Sequence, residues 1–137
     1  MRPTALALAL GLIACGGSPS EQLATALETV LSWTATVRTV ADDWLSHRAP
    51  TRYTRTTLAA ALKSLEQERA ALAASPKTAA HPQVAKALPL IQQAETATAR
   101  MWTGVGEQDR THVREQRATL PSLELALRGL AEPSPAP

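Results

Sequence analysis

Apolar residues recur along this chain at spacings of three and four, and the pattern persists from residue 18 almost to the end. Leu23, Leu27, Val30, Thr34, Val37, Ala41 and Trp44 follow a 4-3-4-3-4-3 spacing, which places them on one helix face. Ala26, Trp33 and Val40 widen that face, and Glu28, Ser32, Thr39, Asp42 and Ser46 fall opposite it. Ser18-Pro19-Ser20-Glu21 marks the start: Ser18 can cap, Pro19 suits the first helical position, and Glu21 completes a capping box. The pattern predicts a helix of about 28 residues and about 40 Å, reaching near His47 and closed by Ala49-Pro50.

Leu58, Leu62, Leu65 and Leu72 mark a second helix, from Thr51 or Arg52 to Ser75-Pro76, with Lys63, Glu66, Glu68 and Arg69 on its solvated face. Residues 76–81 read as a polar loop. A third helix is expected from Pro82 to Thr103, with Val84, Leu88, Ile91, Ala94, Thr98 and Met101/Trp102 inward. Pro89 removes one backbone hydrogen bond inside it, so a kink or split is expected near Ala85–Pro89. Gly104 suits a left-handed cap. A fourth helix is expected from Glu107 to Ala131 on Val113, Leu120 and Leu127, with Gln116, Leu123 and Leu130 alongside and Pro121 interrupting it. Pro133-Ser134-Pro135-Ala136-Pro137 reads as a disordered tail. Four amphipathic helices with short connections predict an all-α fold, an antiparallel up-down four-helix bundle, as one domain over residues 15–132. The alternative is a three-helix arrangement in which the chain after Pro89 packs as one irregular hairpin.

Ahead of this pattern stands a different one. Arg2 precedes a run of about ten apolar residues, Thr4 to Ile13, which is the length of a secretory leader and half of the roughly 20 residues that a membrane span needs. The run ends at Leu12-Ile13-Ala14-Cys15, followed by Gly16-Gly17-Ser18-Pro19. Leu12-Ile13-Ala14-Cys15 resembles the lipobox of bacterial lipoproteins, with Leu at −3, an aliphatic at −2, small Ala at −1 and Cys at +1. The resemblance covers only the first fifteen residues. It implies that residues 1–14 are a signal peptide, cut after Ala14. It also implies that the Cys15 sulfur carries a diacylglyceryl group, with a further acyl chain on the new α-amine. Each buried CH₂ contributes about 0.8 kcal/mol, and two or more chains hold where one does not. Gly16 stands where an Asp would favour inner-membrane retention. The resemblance thus points to the outer membrane, facing the periplasm. The alternative is an ordinary secretory leader followed by a free thiol.

Composition adds limits. With one cysteine no internal disulfide can form, so the fold stands on packing. There is no Phe, one Tyr (Tyr53) and three Trp (Trp33, Trp44, Trp102), so the core is built from Ala, Leu and Val, and the tryptophans are expected in it. The formal charge of +2 falls towards zero once Arg2 leaves with the leader, which gives no electrostatic case for nucleic acid.

Candidate chemistry gathers at the end expected to point away from the membrane. Asp43 and His47 are an i, i+4 pair, and Asp109 and His112 an i, i+3 pair; four such N/O donors would suit zinc or copper if they met. The competing reading is a solvated end in which Asp109 serves the helix dipole. Arg48, Arg52 and Arg55 form a corner that can take an anionic envelope component, or else pair with Asp42, Asp43, Glu107 and Asp109. His81 falls at the other end, out of reach. No CxxCH supports haem, and the sequence holds no Ser/His/Asp grouping or Gly-rich phosphate loop. The expectation is a non-enzymatic module without a cofactor, held to the membrane by acyl chains on Cys15 and meeting an envelope protein or component. The alternative is a small periplasmic metal- or anion-binding protein.

Overall fold

A computed structural model describes residues 17–132, whose regular elements are all helices, with no strand among them. The expected signal peptide, Cys15 and the tail 133–137 lie outside the described residues. The helices are α1 (Pro19–Leu45), α2 (Thr51–Ala73), the single turn α3 (Pro76–Ala79), α4 (Pro82–Gly106), α5 (Arg110–Arg117) and α6 (Leu120–Ala131). None is long and apolar enough to cross a membrane.

α1 starts as its sequence dictates. Ser18 Oγ accepts a hydrogen bond from the Glu21 N–H at 3.3 Å, which satisfies one of the unpaired N–H groups of the first turn. The whole 4-3 stripe is buried, together with Ala26 and Val40. α1 stops at Leu45, two residues short of expectation, because His47 turns into the left-handed region at φ 59. The His47 N–H then reaches Trp44 O at 3.1 Å and the Arg48 N–H reaches Asp43 O at 2.7 Å, a Schellman closure of the last carbonyls.

α4 closes in the same way, and not where glycine was expected to do it. Gln108, at φ 57, takes the left-handed position; its N–H meets Val105 O at 3.2 Å, and the Asp109 N–H meets Gly104 O at 2.8 Å. Gly104 is helical and buried. A Cβ there would stand 2.8 Å from Val113 Cγ2, so the missing side chain lets α5 pack close. α4 also runs unbroken through Pro89, seven residues beyond its first. The expected fourth helix is two helices. Glu107 caps the end of α4 and Asp109 caps the start of α5, accepting from the His112 N–H at 3.0 Å. The break falls at residues 118 and 119, with Pro121 in the first turn of α6, where a missing N–H costs nothing. The expected loop at 76–81 contains the turn α3, whose Thr78 is buried and donates to Gln22 Oε1 at 3.1 Å.

The buried side chains form one core. Leu58, Ala61 and Leu65 of α2, Ile91 and Met101 of α4, Val113 of α5, and Leu120 and Leu127 of α6 join α1 there, each large one contributing about 1.5–3 kcal/mol. Leu62 and Leu88 are only half buried, their places in the core taken by Ala61 and Ala87. Apart from Thr78, the buried hydroxyls are satisfied locally, Thr34 on Leu31 O at 3.0 Å, Thr54 on Pro50 O at 2.9 Å and Thr98 on Ala94 O at 2.8 Å. α2 packs on α1 and on α4, while α5 and α6 pack on α4 and on α1. Trp102, expected inward, is 39% exposed and lies across α2; Trp33 is half buried against the core, and Trp44 is buried.

Candidate functional site

At the end formed by the α1–α2 and α4–α5 connections the chain is tightly tied. Thr51 Oγ1 accepts from Trp44 Nε1 at 3.1 Å and from Gln108 Nε2 at 3.0 Å. Arg110 donates to Leu45 O, and its guanidinium lies 5.5 Å from the Trp44 ring centre. The candidate metal ligands Asp43, His47, Asp109 and His112 stand beside these ties. Asp43 pairs with Arg48 at 3.1 Å, Asp109 caps α5, and His47 is exposed on its left-handed turn. Among the described residues no three His, Cys, Asp or Glu side chains gather to hold a metal ion.

The arginine corner also divides. Arg48 goes to Asp43. Arg55 lies flat on Trp102, 3.8 Å from its ring centre, over Gly106, where a Cβ would stand 2.9 Å from Arg55 Cζ. Arg55 Nε is buried there without an acceptor. Arg52 and Arg55 make no ion pair with a described carboxylate, and with Thr51, Thr56, Ala59 and Trp102 they line an open basin of about 620 Å³. Tyr53, 60% exposed, is the neighbouring aromatic in sequence.

His81 and Ser20 meet at the opposite end, a pairing that sequence spacing did not reveal. Ser20 Oγ lies 3.5 Å from His81 Nε2, and His81 Nδ1 accepts from the Gln83 N–H at 3.3 Å to cap α4. A neutral ring that accepts at Nδ1 carries its proton on Nε2. That nitrogen faces the serine as a donor, the reverse of what would activate a nucleophile.

Four ion pairs lock the long sides. Arg69 of α2 grips Glu95 of α4 with both nitrogens, at 2.5 and 3.1 Å, and Glu95 is 6% exposed. This hydrogen bonding, then the carboxylate charge, raises the Arg69 guanidinium above the ordinary arginine value. Arg117 of α5 grips Asp42 of α1 at 2.8 and 2.9 Å and is raised likewise, by its hydrogen bonds first. Glu124 of α6, 2% exposed, has Arg38 at 3.5 Å and Arg128 at 3.6 Å, and its Oε1 accepts no hydrogen bond.

The remaining feature is a cleft between α4 and the α5–α6 pair, of about 490 Å³. Pro89, Gln92, Gln93, Thr96, Ala97 and Arg100 line it from α4; Gln116, Thr119, Ser122 and Leu123 line it from α5, α6 and the break between them. Three amides, three hydroxyls and one guanidinium face it, without a carboxylate or an aromatic ring. No family model matches the chain, and neither the curated proteins nor the solved structures contain a match to it.

Proposed function

We propose that the protein is a lipid-anchored module of the bacterial cell envelope, non-enzymatic, that meets its partner through the surface of an up-down four-helix bundle. α5 and α6 together serve as the fourth helix of that bundle. Support for the arrangement comes from the ends. Trp44, Thr51, Gln108 and Arg110 are joined at one end, and Ser20 and Gln22 meet His81 and Thr78 at the other. Leu130 and Glu132 line a hollow with Ser20 and His81, which brings the end of α6 back to the start of α1.

The observation that carries the anchor is Leu12-Ile13-Ala14-Cys15, which ends an apolar run three residues before the capped start of α1 at Ser18. With so short a tether the Ser20–His81 end lies against the bilayer and the Trp44–Thr51 end points away. Gly16 in place of Asp favours the outer membrane on its periplasmic side. The test is to express the protein in a diderm bacterium with a labelled fatty acid. The wild type takes up label and sediments with membranes, whereas Cys15→Ser does neither; a labelled, membrane-bound Cys15→Ser protein would end the proposal.

A second reading, a small anion-binding protein, draws on Arg52 and Arg55, which face an open basin without a carboxylate partner. Phosphate binding that survives Arg52→Gln together with Arg55→Gln removes that reading.

A further inference from the structure

We infer that the cleft between α4 and α5–α6 is a binding site for the free carboxylate end of a short peptide. A side-chain amide presents a donor and an acceptor side by side, which is the pairing that a peptide group offers along its own edge. Gln92 and Gln93 supply two such amides from α4 and Gln116 supplies a third from α5, so they face the gap from both walls. Arg100 stands on the α4 wall with no described carboxylate as its ion-pair partner. Its planar fork matches a carboxylate with two parallel hydrogen bonds.

What is missing narrows the class. No acidic side chain lines the cleft, so a cationic ligand finds no counter-charge. No aromatic ring lines it either, so a sugar finds no face to stack on. A single cation matches one negative charge and not a polyanion. Ala97 and Leu123 give small apolar ground for a side chain such as alanine. The volume, about 490 Å³, lies in the range of small-ligand sites.

The fold explains why the gap exists at this place. Thr119 and Ser122 turn their hydroxyls back on Gln116 O at 2.7 Å and Thr119 O at 3.2 Å, holding the α5–α6 break open as a fixed turn. Pro89 stands opposite on α4. The inference concerns this cleft alone and holds whether or not Cys15 is acylated.

The test is a titration of the labelled chain with tri-alanine, read by amide chemical shifts. Saturable shifts are expected at residues 92–100 and 116–123, with a Kd of about 1 mM for so open a site. Tri-alanine amide, which lacks the carboxylate, is expected to bind about tenfold more weakly, and Arg100→Gln to lose the acid-over-amide preference. Circular dichroism checks that Arg100→Gln, an exposed change, keeps its helices. Three results would overturn the inference: no saturable shifts, equal shifts from acid and amide, or equal shifts from acetate, which would mean that the site takes only a small anion. Shifts of the same residues by N-acetylglucosamine but not by tri-alanine would equally reject the peptide in favour of a sugar.

Discussion

α4 packs against α2 on one side and against α5 and α6 on another, and treats the two differently. Against α2 it is sealed except at its far end, where Trp102 and the start of α2 line the open basin. Both helices run without a break, their buried apolar side chains are Ala, Leu and Val together with Ile91 and Met101, and one bidentate pair, Arg69 with Glu95, crosses the seam. Against α5 it packs close at Gly104 and Val113, and it opens toward the break between α5 and α6. There the partner is two short helices, the walls are amides and hydroxyls, and a cleft remains. A continuous helix can keep ridges in grooves along its whole length, whereas a broken one changes direction and leaves a gap at the break. The same chain thus uses one side of α4 for stability and leaves the other free to bind.

The largest effect is expected from opening the α2 side of the core. Leu65→Ala removes a fully buried side chain from α2 and is expected to cost about 2–5 kcal/mol by denaturant unfolding. Leu125→Ala, at a 69% exposed position on α6, should fall within about 0.5 kcal/mol of the parent. Similar losses from the two would mean that α2 is not the sealed partner.

A smaller effect is expected at the ion pairs. Arg69→Ala leaves Glu95 buried and unpaired and should cost about 1–2 kcal/mol. Arg117→Ala acts on a pair in which both members are about one-third exposed or more, and should cost less than about 1 kcal/mol. The sign with pH follows from the direction of the shifts. A cation raised above its ordinary value in the folded state contributes fully below that value and loses the contribution only as pH climbs through the raised one. Both pairs should therefore hold from neutral pH to about pH 10, and the difference between Arg69→Ala and the parent should be flat over that range.

The smallest effect is expected at the two left-handed caps. His47→Gly and Gln108→Gly relieve a backbone strain of about 1 kcal/mol each and should raise the unfolding midpoint slightly. Gln108→Gly should gain less, since it gives up the hydrogen bond to Thr51. A loss of stability in His47→Gly would show that its side chain makes a contact worth more than the strain.

Much of the sealed side was legible in the sequence. The 4-3 stripe of α1, its Ser18 cap and the Leu58–Leu62–Leu65–Leu72 face of α2 follow from local spacing; the structure forms the cap and buries both faces, except Leu62, which is half buried. The misses have one physical origin, in that they depend on what a residue meets across the fold. Gly104 has the chemistry of a cap, yet Val113 decides its role. Trp102 reads as core by type and spacing, yet the Arg55 side chain and the surface of α2 receive it instead. The cleft left no periodic trace at all, because Gln92 and Gln116 are far apart in sequence and neutral, and only the break before α6 brings them to one gap. Pro121 was the one local signal of that break.

On the proposed reading the seam between α4 and α5–α6 stays open because its polar walls bind, at some expense in packing. The most direct measurement is the denaturation midpoint of the double variant Gln93→Leu/Gln116→Leu beside its tri-alanine titration. Two leucines facing across the gap toward Ala97 and Leu123 should close it, raising stability by about 1 kcal/mol while the peptide response disappears. A double variant that is less stable than the parent would show instead that the amides hold the seam together.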